Sequence, residues 1–318
     1  MRSYFIRRLF LLIPTLFLVT LIVFFSVRFV PGSVVDLMTS QLSAAGGESV
    51  TREQLEQMLG LDKPMYIQYF NWIGKAVRGD LGESLWQGRE ITPDILSKIP
   101  ISLELGFFAI LTGLFISLPI GIYSAIRQDT IGDYLGRSIA ILFIAVPSFW
   151  LATMVVVFPA DWWGWSPAVA YVPITRDLGA NLIQFLIPSV IMGMVMSGTS
   201  MRMTRTMMLE VLRQDYIRTA WSKGLRERII VIRHAMRNAL IPVITIIGMQ
   251  IPVLIGGSVI METIFNLPGM GRFMIDALNR RDYPIISGIN ICMATVILCV
   301  NLTIDLTYSL LDPRIRYR

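Results

Sequence analysis

Six long stretches without a charged side chain decide what this chain can fold into. They run over residues 9–27, 105–126, 138–160, 178–201, 239–261 and 283–304, and each is close to the roughly 20 residues a helix needs to cross a bilayer. Hydrocarbon offers no partner to backbone N–H and C=O groups, so such a run must satisfy them internally, as an α-helix does. No single soluble core accommodates six such segments, and a chain that is 54% hydrophobic and 16% charged agrees with a membrane protein. The expectation is an all-α integral membrane protein with six transmembrane helices, over about 9–30, 102–126, 138–160, 178–201, 239–261 and 283–306. The first run follows Arg2, Arg7 and Arg8 but is longer than a signal-peptide core and has no small-residue cleavage site close behind it, so it reads as a retained helix. One membrane domain, 1–318, is the simplest division.

Six crossings place both termini on one side. Nine of the 28 basic residues fall between Arg202 and Arg237, and more lie at the termini and at Arg127 and Arg137. Basic residues in short loops mark the cytoplasmic face, which predicts cytoplasmic N- and C-termini, a cytoplasmic loop over 202–238 and an outer segment over 31–100. The net charge of +6 then belongs to lipid-facing loops, and nucleic acid is not implied. Within the outer segment Tyr66, Phe70, Ile73 and Val77 recur at helical spacing, predicting a helix laid on the membrane surface or on neighbouring spans. Trp162, Trp163, Trp165 and Tyr171 sit where an interfacial aromatic belt would lie. Cys292 and Cys299 share one apolar run without metal-ligand spacing, so neither a disulfide framework nor a metal site is expected.

The cytoplasmic loop holds the densest pattern. In DYIRTAWSKGLRERIIVIRHAMRNALIP, Asp215 is placed to cap a helix from Tyr216, and Gly224 suits the left-handed residue that ends one. A second helical stretch from Leu225 to Asn238 then enters the fifth span. Trp221 and Leu225 beside the small Thr219, Ala220 and Ser222 could fill a shallow groove on a partner; equally, Trp221 could lie in the lipid interface with the arginines on headgroups.

This loop resembles the EAA-type loop of inner-membrane subunits of ATP-binding-cassette importers, in the branch handling peptides and nickel. The motif's Glu-Ala-Ala falls on Arg218, Thr219 and Ala220, with Arg218 in place of the glutamate, and its glycine falls on Gly224. YFIRRLFLLIPTLFLVTLIVFF, LGLDKPMYIQYFNWIGKAVRGDLGES, METIFNLPGMGRFMIDALNRRDYPI and LDPRIRY are similar to further family blocks in the same order, while PGSV at 31–34 departs from the frequent Pro-Gly-Asp-Pro. The resemblance implies a type I importer permease fold and a subunit that translocates di- or oligopeptides or related small solutes. It also implies a second homologous permease, two nucleotide-binding ATPases and an extracytoplasmic substrate-binding protein as partners, in the inner membrane of a prokaryote.

The chain has no GxxxxGK[ST] phosphate loop. It is therefore expected to be a transport subunit and not an enzyme, without a cofactor or metal of its own, with ATP and Mg bound by the partner subunits. The ATPase is expected on Asp215, Arg218, Thr219, Ala220, Trp221, Ser222, Lys223, Gly224 and Leu225. Pro242, Gly248, Pro252, Gly256 and Gly257 interrupt the fifth span, marking either a gate or close helix packing. Arg272, Arg280 and Arg281, in a short outer loop, are candidates to steer a peptide carboxylate along the substrate path, or form a solvated face. Two other classes stand against this reading: a gradient-driven secondary transporter, and a scaffold recruiting a soluble protein. The first is disfavoured by carboxylates lying only near span ends, at Glu104, Glu262 and Asp305.

Overall fold

The computed structural model describes residues 2–29, 35, 36, 38, 39, 51–58, 60–168 and 170–311. The stretch at 31–34 and the tail at 312–317 lie outside them, as do the side chains of Arg2, Arg7, Arg8, Arg314, Arg316 and Arg318. The described residues are helical, and their only β pairing is an isolated bridge between Glu83 and Glu90.

Among the described residues, the bounded helices in order are α1 (Arg2–Phe29), α2 (Arg52–Met58), α3 (Met65–Ala76), α4 (Thr92–Ile126), α5 (Ile131–Ala145), α6 (Ser148–Trp163), α7 (Leu178–Leu212), α8 (Asp215–Ser222), α9 (Glu227–Ile229), α10 (Met236–Ile264), α11 (Met270–Arg280) and α12 (Tyr283–Leu311). A π-helical stretch, Ile230–Ala235, joins α9 to α10 without a break. Among the described residues, five helices are each long and apolar enough to cross a membrane: the α1 portion Phe10–Phe29, α4, α7, the continuous Glu227–Ile264 and Tyr283–Ile304.

The run at 138–160, expected as one span, is two helices, α5 and α6, bent by 88°, and the bent pair together is apolar enough to be a sixth span. The cause is local. Pro147 disfavours helical backbone at the residue before it, and Val146 is extended at φ −83°, ψ 121°. Gly164, in the left-handed region at φ 64°, then closes α6, its N–H bonding to Ala160 O at 3.1 Å. At the start of α7, Asp177 caps the helix by accepting from Ala180 N at 3.0 Å.

By packing, the chain falls into two compact units, one of residues 1–101 and 268–299 and the other of 102–267 and 300–318. The first has a core of Val27, Leu81, Ile91, Ile95, Met270 and Ile289. Here α3 packs on α1 through Tyr69, whose hydroxyl lies 2.9 Å from Thr20 Oγ1, and through Trp72, whose ring lies 5.7 Å from that of Phe24. Of the stripe expected to lie on the membrane surface or on neighbouring spans, Tyr66, Phe70 and Val77 are exposed and Ile73 is half-buried, so the stripe is free to meet the membrane surface.

In the second unit α7 is central, with α5 and α10 along it. Glycine permits the approach: a Cβ at Gly193 would come 2.8 Å from Ala109 O, and one at Gly198 2.7 Å from Ala140 O. Small residues let helices meet backbone to backbone where lipid supplies no hydrophobic drive between them. Large apolar side chains such as Phe115, Ile183, Met249 and Val253 stay exposed, as surfaces facing lipid or another helix do.

Candidate functional site

The expected coupling residues form one compact projection. Asp215, Arg218, Thr219, Ala220, Trp221 and Ser222 lie on α8, followed by Lys223, Gly224 and Leu225. The cap differs by one residue from expectation. Gln214 takes the extended position before the helix, and Asp215 sits in its first turn, where a carboxylate favours the helix dipole without bonding a backbone N–H. Its side chain is exposed, with Arg218 Nη1 3.4 Å away.

The other end is as the glycine predicts. Gly224 has φ 72°, its N–H bonds to Trp221 O at 2.9 Å, and Leu225 N bonds to Ala220 O at 3.4 Å. These two bonds close a Schellman motif, satisfying carbonyls that the helix end would otherwise orphan. Leu225 folds back against the cluster that holds Ala220, completing the hydrophobic contact usual for this turn.

α8 is short, and short helices are marginal on their own, so its stability comes from its buried side. Ile217 and Ala220 are buried together with Met208 of α7, Ile230, Val231 and Ala235 of the π stretch, and Ala239 of α10. Asn238 Nδ2 donates to Tyr216 Oη at 2.8 Å, a second tie from α10 to α8. The opposite side presents Trp221, 49% exposed, with Arg218 and Lys223. A small helix anchored to the ends of two long helices, with an exposed aromatic side chain outward, can receive a load and pass it to both.

Two features here escape sequence reading. The π stretch widens the helix by one residue per turn where α8 packs, a device common at functional positions; nothing in IVIRHA announces it. The second is a buried ion pair. Arg205 of α7 grips Asp133 of α5 with two bonds of 2.7 Å, Nε to Oδ1 and Nη2 to Oδ2. Asp129 N donates to the same carboxylate at 3.0 Å and Ser124 Oγ bonds it as well. Asp133 is fully buried. The network pins the turn between α4 and α5 to α7.

The five residues of the candidate gate all lie within α10, which continues helical through Pro242 and Pro252. They play different parts. Gly248 is a packing position, since a Cβ there would meet the Ile304 side chain at 2.8 Å. Gly256 and Gly257 have open space before them and lie exposed next to Met249, Val253 and Ile260.

The three arginines expected on the outer side do not form one cluster. Arg272 stands near the start of α11 and Arg280 at its end, about 12 Å apart along the axis at 1.5 Å per residue. Arg281 follows in the left-handed region at φ 53°. The centre of this region is Asp282, buried, which accepts from Ser84 Oγ at 2.5 Å and Leu85 N at 3.3 Å, while Trp86 Nε1 donates to Arg280 O at 2.7 Å. Burial pushes the Asp282 carboxyl above the usual carboxylate range, against the pull of the hydrogen bonds from Ser84 and nearby backbone N–H groups. In the second unit burial also raises Tyr171, with the neighbouring Glu104 charge adding to it.

Known proteins agree with this architecture. The family model "Binding-protein-dependent transport system inner membrane component" matches residues 117–317, and the N-terminal model of the same type of component matches residues 1–106. The dipeptide transport system permease protein DppB of Escherichia coli K12 is 36% identical over 100% of both chains. The oligopeptide transport system permease protein AppB of Bacillus subtilis 168 is 35% identical, again over 100% of both. Among solved structures, the methionine ABC transporter MetNI in an inward-facing form aligns with a TM-score of 0.53 at 14% identity, covering 69% of this chain and 96% of that one. That likeness concerns the fold. A multi-pass helical chain matched along almost its whole length by these models and relatives belongs to the family of binding-protein-dependent transport system inner membrane components, as a permease subunit of an ABC importer.

Proposed function

We propose that this permease translocates di- or oligopeptides, or related small solutes, delivered by an extracytoplasmic binding protein across the cytoplasmic membrane of a prokaryote. A second homologous permease completes the pathway, and two ATPase subunits, which hold ATP and Mg, drive it. The named relatives, a dipeptide and an oligopeptide permease, support the solute class. The observation that carries the coupling assignment is α8, buried on Ile217 and Ala220 and exposed on Trp221, closed by Gly224. On this reading the ATPase seats on Trp221, Thr219 and Lys223, and closure of the ATPase pair is transmitted through the π stretch and Tyr216–Asn238 to α7 and α10. Arg280 and Arg281 lie on the outer approach, and Gly256 and Gly257 face the companion permease.

The test is co-purification of the importer in mild detergent with ATPase turnover in proteoliposomes. Trp221→Ala should release the ATPase subunits while the permease pair stays together. Gly224→Ala, which forces a Cβ into the left-handed region at a cost of about 1 kcal/mol, should uncouple transport from ATP hydrolysis before it weakens assembly. Wild-type ATPase retention and uptake in both variants would move the docking surface elsewhere.

A further inference from the structure

The first unit holds a charge with no countercharge beside it. Arg28 lies in the last turn of α1, half-buried, with its Nε and Nη2 on Gln68 Oε1 at 3.1 and 2.8 Å and its guanidinium carbon 3.6 Å from the centre of the Phe24 ring. No carboxylate among the described residues pairs with it. An amide oxygen and an aromatic face only partly offset the cost of taking a cation out of water. Close by, Trp72 Nε1 is a buried donor without an acceptor. Both side chains line a cavity of about 600 Å³ whose walls also carry Lys63, Lys75 and Arg78 and, among the described residues, no Asp or Glu. Lys75 reaches Asp80 only at 3.9 Å, with both side chains in solvent.

Depth and surface select among oxyanions. The apolar span of α1 ends at Phe29, so Arg28 lies at the level of the lipid headgroups in the leaflet where that span ends. Phe24 lies under its guanidinium, and Tyr69 and Trp72 pack on Phe24, an aromatic group of the kind found at that depth. Phe70 forms part of the cavity wall and also belongs to the exposed stripe of Tyr66, Phe70 and Val77 on α3. A polar, cationic cavity adjoining an apolar strip at headgroup depth matches a headgroup and the start of an acyl chain.

We propose that the cavity between the end of α1 and helix α3 is a binding site for the phosphodiester of an anionic phospholipid, with Arg28, Lys63, Lys75 and Arg78 around the phosphate. The lipid joins α3 to α1 and holds the outer segment in place. The site is independent of the transported solute.

The probe is dioleoylphosphatidylglycerol, titrated against the delipidated full chain in mild detergent and read by native mass spectrometry. Dioleoylglycerol, with the same chains and no phosphate, is the comparison. The phosphoglycerol lipid should bind and the diglyceride should not. Arg28→Gln and Arg78→Gln should each weaken binding about fivefold, the usual contribution of one basic side chain at an anionic membrane surface, while Arg127→Gln, in the other unit, should not. Arg78 is exposed and replaceable without disturbing the core, so it decides the matter even where Arg28→Gln folds poorly. Equal retention of the two lipids, or retention unchanged in Arg78→Gln, would overturn the proposal. Displacement of the lipid by millimolar inorganic phosphate would assign the site to a soluble oxyanion and overturn it as a lipid site.

Discussion

At the scale of single residues, the buried carboxylates of Asp133 and Asp282 behave differently because their partners differ. Asp133 faces a guanidinium in bidentate contact. Asp133→Asn would leave Arg205, only 17% exposed, without its partner, and breaking a buried pair from one side costs about 3 kcal/mol or more. The double variant Asp133→Asn with Arg205→Met should recover most of that loss, as read by thermal unfolding of the full chain in detergent. Asp282 is held by hydrogen bonds from Ser84 and backbone N–H groups, and burial outweighs them to hold its carboxyl above the ordinary range. A raised folded-state pKa contributes stability that is present below the unfolded value and lost as pH rises through the folded one. The thermal midpoint should therefore fall as pH rises from the ordinary aspartate value of 3.8 upward, and Asp282→Asn should flatten that slope. Neither carboxylate could be singled out from sequence. Asp133 and Arg205 are 72 positions apart, and only the packing of α5 on α7 makes them neighbours. Gly224 was legible because its need is local: a glycine following a short helical run supplies the left-handed turn whatever lies around it.

At the scale of elements, the bend between α5 and α6 shows one local rule outweighing another. Apolar composition over 138–160 favours one continuous helix, yet Pro147 removes a backbone donor and drives Val146 to extended backbone, giving the 88° turn. Pro159, Pro188, Pro242 and Pro252 sit inside helices that continue, so proline by itself does not forecast a break. Packing around each one decides whether the freed carbonyl is tolerated. Spin labels at Leu135 and Val157, each eleven residues from the corner, should lie about 23 Å apart if the arms meet at a right angle and about 33 Å apart in a straight helix, at 1.5 Å per residue. Pro147→Ala should shift the measured distance toward the longer value; an unchanged distance would mean that contacts with neighbouring helices hold the corner. The outward stripe of α3 is a similar case: Tyr66, Phe70 and Val77 have the helical period of a packing face, but the aromatic pair Tyr69 and Trp72 occupies α1.

At the scale of the whole molecule, charge distribution carries the orientation. On the proposed orientation the basic segment 202–238 lies on the cytoplasmic side, as the positive-inside bias expects, and the loop after α3 on the other. Single cysteines at Lys223 and at Arg78, in a chain with Cys292 and Cys299 replaced by serine, should react with an impermeant maleimide from opposite faces of the membrane. Lys223 should be protected in intact cells and reactive in inverted vesicles; the reverse pattern would invert the topology and remove α8 from the ATPase side.

What the sequence by itself determined is what depends on solvent and on neighbours a few residues away. Long uncharged runs require helices in lipid, and a glycine after DYIRTAWSK ends a helix. The tertiary structure alone decided the relations between distant residues: the grip of Arg205 on Asp133, the π stretch under α8, the separation of Arg272 from Arg280, and the cationic cavity around Arg28. Each of these depends on how particular helices pack, and helical period and hydropathy reveal that a face is apolar without revealing which surface will cover it.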